Sequence, residues 1–221
     1  MIRHSTQRQQ VADTALSLLE TGLVVNTSGN ASVRVDDDII ITPSTREYDS
    51  LQAEDICVID LDGKMTDGRY LPSSETPLHL AIYNSRPDIH AIVHTHSVHA
   101  TAVSTLVKEL PAIHYQMVDL GGPVPVAPYE TFGSHELAAS VVGVLTERTA
   151  ALMQNHGSIT VADTLAKALA RTIALEWCCE VWLKAITGGE PSTLNEAQME
   201  AAKQQMESIA RQRESKENSY S

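Results

Sequence analysis

The sequence predicts a layered α/β or α+β domain, a sheet covered by helices. Three observations carry that expectation. Short β-rich runs recur between longer stretches whose apolar residues fall at helical spacing. No internal repeat and no long Pro/Gly/Ser-rich linker divides the chain, so residues 1–221 read as a single domain. With 221 residues, 43% hydrophobic and 20% charged, the chain can bury a core, which excludes disorder and collagen-like repeats.

Ser5 to Thr21 places Val11, Ala12, Ala15, Leu16, Leu18 and Leu19 at helical spacing, with Gly22 as the stop. Ala31 to Val35 and Asp38 to Thr42 read as two strands around an Asp-rich turn, and Asp55 to Leu61 as a third, closed by Asp62-Gly63. Thr76 to Asn84 is expected to be a helix, Ile89 to Thr95 a strand and Val98 to Leu106 a helix. Strands are expected at Ala112 to Val118, Val124 to Ala127, Ala151 to Gln154 and Ser158 to Val161, with a helix over Ser134 to Thr146. The strongest helical signal is Asp163 to Ile186. Its apolar stripe runs Ala166, Leu169, Ala170, Ile173, Ala174, Trp177, Cys178, Val181, Trp182 and Ala185. A last helix, Asn195 to Arg213, is followed by a flexible tail from Glu214 to Ser221.

Composition removes several function classes. Lys and Arg number 16 against 28 Asp and Glu, a formal charge of −12 at pH 7. Such a surface repels phosphate backbones, so no nucleic-acid partner is expected, and an anionic substrate needs a locally built site. Apolar runs such as Leu137 to Leu145, broken by Ser140 and Gly143, are too short to span a bilayer, so no membrane role is expected. Met1 to Gln10 is polar and lacks the apolar run of a signal peptide. Three cysteines, two of them adjacent at 178 and 179, suggest no disulfide framework. A cytoplasmic location follows as the expectation.

Chemistry-bearing residues fall into three groups. His94-Thr95-His96 closes the Ile89 strand, where alternate residues share a face, so His90, Ile92, His94 and His96 point one way. Two imidazoles at i and i+2 can grip one metal ion, though two polar residues at a strand end fit equally well. His156, in Asn155-His156-Gly157 between two β-like runs, can complete a three-nitrogen set with open coordination positions, the pattern of a catalytic metal site. Ser73-Ser74-Glu75-Thr76-Pro77 is a helix start, and the same geometry presents hydroxyls and backbone N–H groups to a phosphate. Ser28-Gly29-Asn30 and Thr42-Pro43-Ser44-Thr45 are two more such clusters, each also an ordinary turn sequence.

These segments together resemble a family. SGNASVR from Ser28, ITPS from Ile41, LPSSE from Leu71, SRPDIHAIVHTHSVHATAVS from Ser85, PAIHY from Pro111, APYETFG from Ala127 and QNHG from Gln154 are similar, in order and spacing, to the class II zinc-dependent aldolases of the L-fuculose-phosphate aldolase type, in the aldolase/adducin/ribulose-phosphate 4-epimerase superfamily. The resemblance runs from about Ala12 to about Lys167. It implies a three-layer fold with a central, mainly antiparallel sheet. It also implies one Zn²⁺ per chain on His94, His96 and His156, with Glu75 as both a zinc ligand and the acid/base carboxylate. Gly29, Asn30, Ser44, Ser73 and Ser74 match phosphate-binding positions, and Thr45 stands where the family's phosphate loop often has a glycine. Tyr115 matches a catalytic tyrosine that reaches into a neighbouring subunit's site, implying a C4-symmetric homotetramer with active sites at its interfaces.

The activity so implied is cleavage of a phosphorylated ketose, such as L-fuculose 1-phosphate, to dihydroxyacetone phosphate and a small hydroxyaldehyde through a metal-stabilised enediolate. A 3-oxo-tetronate 4-phosphate decarboxylase, a ribulose-phosphate 4-epimerase and a methylthioribulose-phosphate dehydratase share the apparatus. A non-catalytic adducin-like interaction module predicts loss of ligands, whereas all four metal positions are filled. His79 and His99 read as structural, Lys108 as solvated, and Trp177 and Trp182 as packing residues.

Overall fold

The computed structural model describes residues 2–217. Its strands are β1 (Asn30–Val35), β2 (Asp38–Ile41), β3 (Cys57–Asp60), β4 (Met65–Asp67), β5 (Ala91–Thr95), β6 (Glu109–Leu110), β7 (Val124–Ala127), β8 (Ala150–Met153) and β9 (Gly157–Ala162). They form a mixed sheet in the order β4-β3-β2-β1-β5-β9-β8-β7-β6. Every ladder is antiparallel except β7 with β8. The helices are α1 (Ser5–Glu20), α2 (Thr76–Ser85), α3 (Val98–Ser104), α4 (His135–Val144), α5 (Leu165–Ile186) and α6 (Glu196–Glu217).

The sheet is apolar on both sides because helices cover both. Alternation along β2 shows the division: Ile39 and Ile41 pack with Leu78 and Ile82 of α2 and Leu137 and Val141 of α4. Ile40 packs on the other side with Val11, Ala15 and Leu18 of α1 and Leu165 and Ala168 of α5. Farther along, Ala100 and Val103 of α3 and Leu175 and Cys178 of α5 cover Leu152 and Val124. A fully buried Ile such as Ile40 contributes about 1.5–3 kcal/mol over exposure. The result is the three-layer α/β arrangement that the resemblance implied. Among the described residues no helix is long and apolar enough to cross a membrane.

The elements depart from the sequence expectation in several places, among them the unforeseen strand β6 and Asp55, which lies in a 3-10 turn before β3. Residues 112–118 are not a strand: β6 ends at Leu110, and Tyr115–Leu120 is a 3-10 helix whose N-terminus His114 caps by accepting from the Gln116 N–H. β4, unforeseen, is three exposed residues on the sheet edge, paired to β3 across a bulge. α5 turns a different face inward than its apolar stripe suggested. Leu165, Ala168, Thr172, Leu175, Cys178, Cys179 and Trp182 are buried, while Ile173 and Trp177 are 44% and 41% exposed. The helix is apolar on two sides, so periodicity alone could not choose between them. Finally, α6 continues to Glu217, with an Arg211–Glu207 pair one turn apart, so the first part of the expected tail is helical. Residues 218–221 lie outside the described residues.

Candidate functional site

The site sits at the end of β5, in the middle of the sheet. β5 pairs with β1 so that Asn30 lies opposite His94, and with β9 so that Thr95 lies opposite Ser158. His94 and His96, two apart, reach the same side, while His90 is exposed just before the strand. His156 comes from the tight turn between β8 and β9, in which Asn155 is left-handed (φ 56°) and the His156 N–H bonds to Met153 O at 3.1 Å. The turn folds over β5 because residue 157 is glycine: a Cβ there would lie 2.2 Å from Thr95 O and 3.1 Å from His96 Cδ2. Glu75 enters from the N-terminus of α2, where it occupies the cap position yet makes no side-chain capping bond, leaving its carboxylate to the site.

Four side chains therefore converge. The three imidazole centroids are 4.8, 5.0 and 4.8 Å apart, each pair edge-on. Glu75 Oε2 lies 2.9 Å from His94 Nε2, and Oε1 lies 3.2 Å from His156 Nε2. His94 Nε2 is also 2.9 Å from His96 Nε2. Among the described residues this is the one cluster of three or more His, Cys, Asp or Glu side chains whose donor atoms lie within 4.8 Å of one another.

Hydrogen bonding shows what the cluster fits. His94 Nδ1 donates to Ser158 O at 2.8 Å, because a carbonyl can only accept, so neutral His94 carries a lone pair on Nε2. That lone pair faces a carboxylate oxygen at 2.9 Å, an arrangement that repels unless a proton or a metal ion is shared between them. Glu75 Oε1 is buried and has no hydrogen-bond partner; its approach to His156 is a contact without bonding geometry. Burial favours neutral Glu75, but His94 and His156 outweigh it and hold the carboxyl well below the usual range. Burial likewise opposes a charged His94, while Glu75 raises its pKa above the ordinary imidazole value. Burial and the two neighbouring rings push His96 down to about 4. Three nitrogen donors and an anionic oxygen, Oε2, set against the His94 lone pair suit one divalent cation.

Beside the cluster is a cavity of about 240 Å³, lined by Gly29, Asn30, Ser44, Thr45, Ser73, Ser74 and Glu75, with His96, His156 and Phe132. The hydroxyl clusters meet because their loops are tied together. Pro43 bridges Pro72, the Ser44 N–H bonds to Leu71 O at 2.8 Å, and the Ser73 N–H to Thr42 O at 3.1 Å. Gly29 (φ 116°) passes so close to β5 that a Cβ would meet His94 O at 2.9 Å, and the Tyr48 hydroxyl donates to its carbonyl. Thr45 adopts the left-handed conformation (φ 57°) without being glycine. Arg46 turns away from the cavity, its Cζ stacked 4.5 Å from the centre of the Tyr70 ring. No Lys or Arg lines the cavity.

Of the eleven expected positions, all but Tyr115 are thus gathered at one place. Tyr115 is 49% exposed and borders a different groove with Ile113, His114 and Leu194. His99 binds Glu176 (Nδ1 to Oε1, 2.8 Å), Lys108 is exposed, and Trp182 is buried. Trp177 is half out of the core, edge-on to His114. Two participants were missed by sequence reasoning: Tyr48, which no local pattern marks, and Phe132, 68% exposed at the cavity rim, a signal legible as an aromatic in APYETFG.

Comparison with known proteins accords with this geometry. A family model described as the class II aldolase and adducin N-terminal domain matches residues 9–183, which hold all four converging side chains. The L-fuculose phosphate aldolase of Escherichia coli (strain K12) is 43% identical over 184 residues, 83% of this chain and 85% of that protein. The 5-deoxy-D-ribulose 1-phosphate aldolase of Bacillus thuringiensis serovar kurstaki is 35% identical over 208 residues, 93% of this chain and 98% of that protein. A solved L-fuculose 1-phosphate aldolase structure matches with a TM-score of 0.90 at 35% identity, covering 93% of this chain and 98% of its own. The chain belongs to the class II aldolase and adducin N-terminal domain family.

Proposed function

We propose that the chain cleaves a ketose 1-phosphate of the L-fuculose 1-phosphate or 5-deoxyribulose 1-phosphate kind to dihydroxyacetone phosphate and a small hydroxyaldehyde, using one zinc ion per chain. The observation that carries this reading is the His94–His96–His156–Glu75 cluster opening into a cavity walled by small hydroxyl residues. A divalent ion held by those four side chains supplies Lewis acidity to the ketose carbonyl and its neighbouring hydroxyl. Gly29, Asn30, Ser44, Thr45, Ser73 and Ser74 hold the phosphate through hydroxyls, amide and backbone N–H groups, which needs no cationic side chain. Anchoring that non-reacting group fixes the carbons that separate.

As the C3–C4 bond breaks, its electron pair passes into the enediolate of C2 and C3. The Tyr115 hydroxyl of a second copy takes up the C4 hydroxyl proton as it passes its own to solvent, and the C4 oxygen becomes that of the aldehyde. Glu75, a carboxylate at rest, takes up a proton from solvent and delivers it to C3, so the proton released at C4 is balanced by the one added at C3. The exposure of Tyr115, away from its own chain's cavity, supports a role across an interface. Ile173 and Trp177, exposed on α5 with Trp177 against His114, offer apolar surface for a homotetramer. The three cysteines, all free and buried, accord with a cytoplasmic location. The position of Arg46 argues against a decarboxylase that must clamp a second anion, since the cavity offers it no fork.

The test is a substrate panel of L-fuculose 1-phosphate, 5-deoxyribulose 1-phosphate, ribulose phosphates and a 3-oxo-tetronate 4-phosphate, with dihydroxyacetone phosphate, aldehyde and carbon dioxide followed separately. Aldehyde with equimolar dihydroxyacetone phosphate is expected. Carbon dioxide without aldehyde overturns the reading in favour of a decarboxylase.

A further inference from the structure

Glu75, at the cap of α2, is followed at four-residue steps by His79 and Tyr83 on the helix, and Asn30 and Ser32 lie two apart on one face of β1. The two elements meet in a chain of hydrogen bonds that ends on the catalytic carboxylate. Asn30 Nδ2 is 2.9 Å from Glu75 Oε2, and His79 Nε2 is 2.5 Å from Asn30 Oδ1. Ser32 Oγ is 2.6 Å from His79 Nδ1 and 2.8 Å from the Tyr83 hydroxyl. Tyr83, Ser32, His79 and Asn30 are all at least 98% buried, so no water substitutes for any link.

The direction of every link follows from its last member. A carboxylate can only accept, so the Asn30 amide nitrogen faces Glu75 and its oxygen faces His79. His79 must then carry its proton on Nε2, which leaves Nδ1 to accept from Ser32; Ser32, its one hydrogen spent, accepts from Tyr83. We propose that His79 is a positioning residue for Glu75. Through Asn30 it pins Oε2 and leaves Oε1, which has no donor, as the oxygen that moves the substrate proton. The proposal rests on the role given above to Glu75. Without the relay the Asn30 amide can turn its oxygen toward the carboxylate, an acceptor against an acceptor, and Glu75 loses its fixed rotamer. Donors aligned in one direction also polarise one another, which strengthens the link that touches the carboxylate.

The experiment compares zinc-loaded full-length wild type with His79→Leu and His79→Gln, the latter chosen because its amide nitrogen reaches about where Nε2 sits. His79→Leu is expected to lower kcat by about 10–100-fold while the three histidines still retain zinc, and His79→Gln to recover most of that loss. Equal losses in both variants, or losses that track zinc content or unfolding temperature, overturn the proposal. A second readout does not depend on activity or on either variant folding. In ¹⁵N-histidine-labelled wild type, His79 Nδ1 is expected at the shift of a bare ring nitrogen and Nε2 at that of a protonated one. The opposite tautomer or a doubly protonated ring overturns the relay. Should the wild type cleave no sugar phosphate, the functional reading fails separately, and the nitrogen shifts still decide the hydrogen-bond chain.

Discussion

Gly157→Ala tests how the metal-site turn is held, and its magnitude can be worked from distances. The added methyl would stand 2.2 Å from Thr95 O and 3.1 Å from His96 Cδ2. The first distance falls short of ordinary carbon–oxygen contact by about 1 Å or more, and it is set by backbone on both sides, so no side chain can rotate to relieve it. β9 must therefore part from β5 at Thr95/Ser158, the pair next to both histidine positions. Overpacking of this kind costs about 1–3 kcal/mol, and a shift of about 1 Å at a reacting site costs about 10²-fold in rate. Urea unfolding, zinc content after gel filtration and kcat/KM measure the three consequences. Gly143→Ala is the control: that glycine lies inside α4 with nothing within 4 Å of an added Cβ, so it is expected to gain up to about 1 kcal/mol. A Gly157→Ala protein with wild-type stability and zinc content would refute the reasoning.

Other outcomes are equally checkable. Glu75→Gln keeps the shape of the side chain and loses the base, so turnover should fall by about 10²–10⁴-fold while inorganic phosphate still binds by calorimetry; near-normal turnover would leave Glu75 a mere helix-start residue. Chains carrying Tyr115→Phe and His94→Ala, each inactive alone, should regain activity when mixed, and silence in verified mixed oligomers would place Tyr115 outside the chemistry. Burial, with His94 nearby, pushes His79 from 6.5 to about 3. Above about pH 6.5 folded and unfolded chains both hold it neutral, while below that only the unfolded chain takes the proton. Stability should therefore fall with pH down to about 3, by up to about 1.4 kcal/mol per unit. Urea titrations of metal-free wild type and His79→Gln should differ by that slope, and parallel curves would count against a buried neutral ring.

How much of this the sequence reveals depends on the range of the contacts involved. β2 and β7 were legible because an apolar run bounded by turn residues leaves few alternatives. Residues 112–118 misled because Ile113, Tyr115 and Met117 alternate as a strand would, whereas the backbone is turned by His114 capping and by Gly121 in the left-handed region. The three histidines could be named as candidate ligands from local motifs, whereas Glu75 read locally as a helix start and took its carboxylate role from the family resemblance. Their second partners could not: Asn30 faces Glu75 only because β1 pairs with β5 in a register joining residues 64 apart in sequence. His79 read as structural for the same reason, since its partners sit on β1, nearly fifty residues earlier.

Proton exchange into dihydroxyacetone phosphate tests the central claim most directly, because it isolates the enediolate step from any choice of aldehyde. Zinc-loaded protein, dihydroxyacetone phosphate and heavy water are combined with no aldehyde present, and the C3 protons are followed by NMR. One of the two prochiral protons is expected to be replaced by deuterium, and the exchange to vanish on chelation, in His94→Ala and in Glu75→Gln. Exchange that persists at the wild-type rate in Glu75→Gln or in chelated protein would contradict that claim.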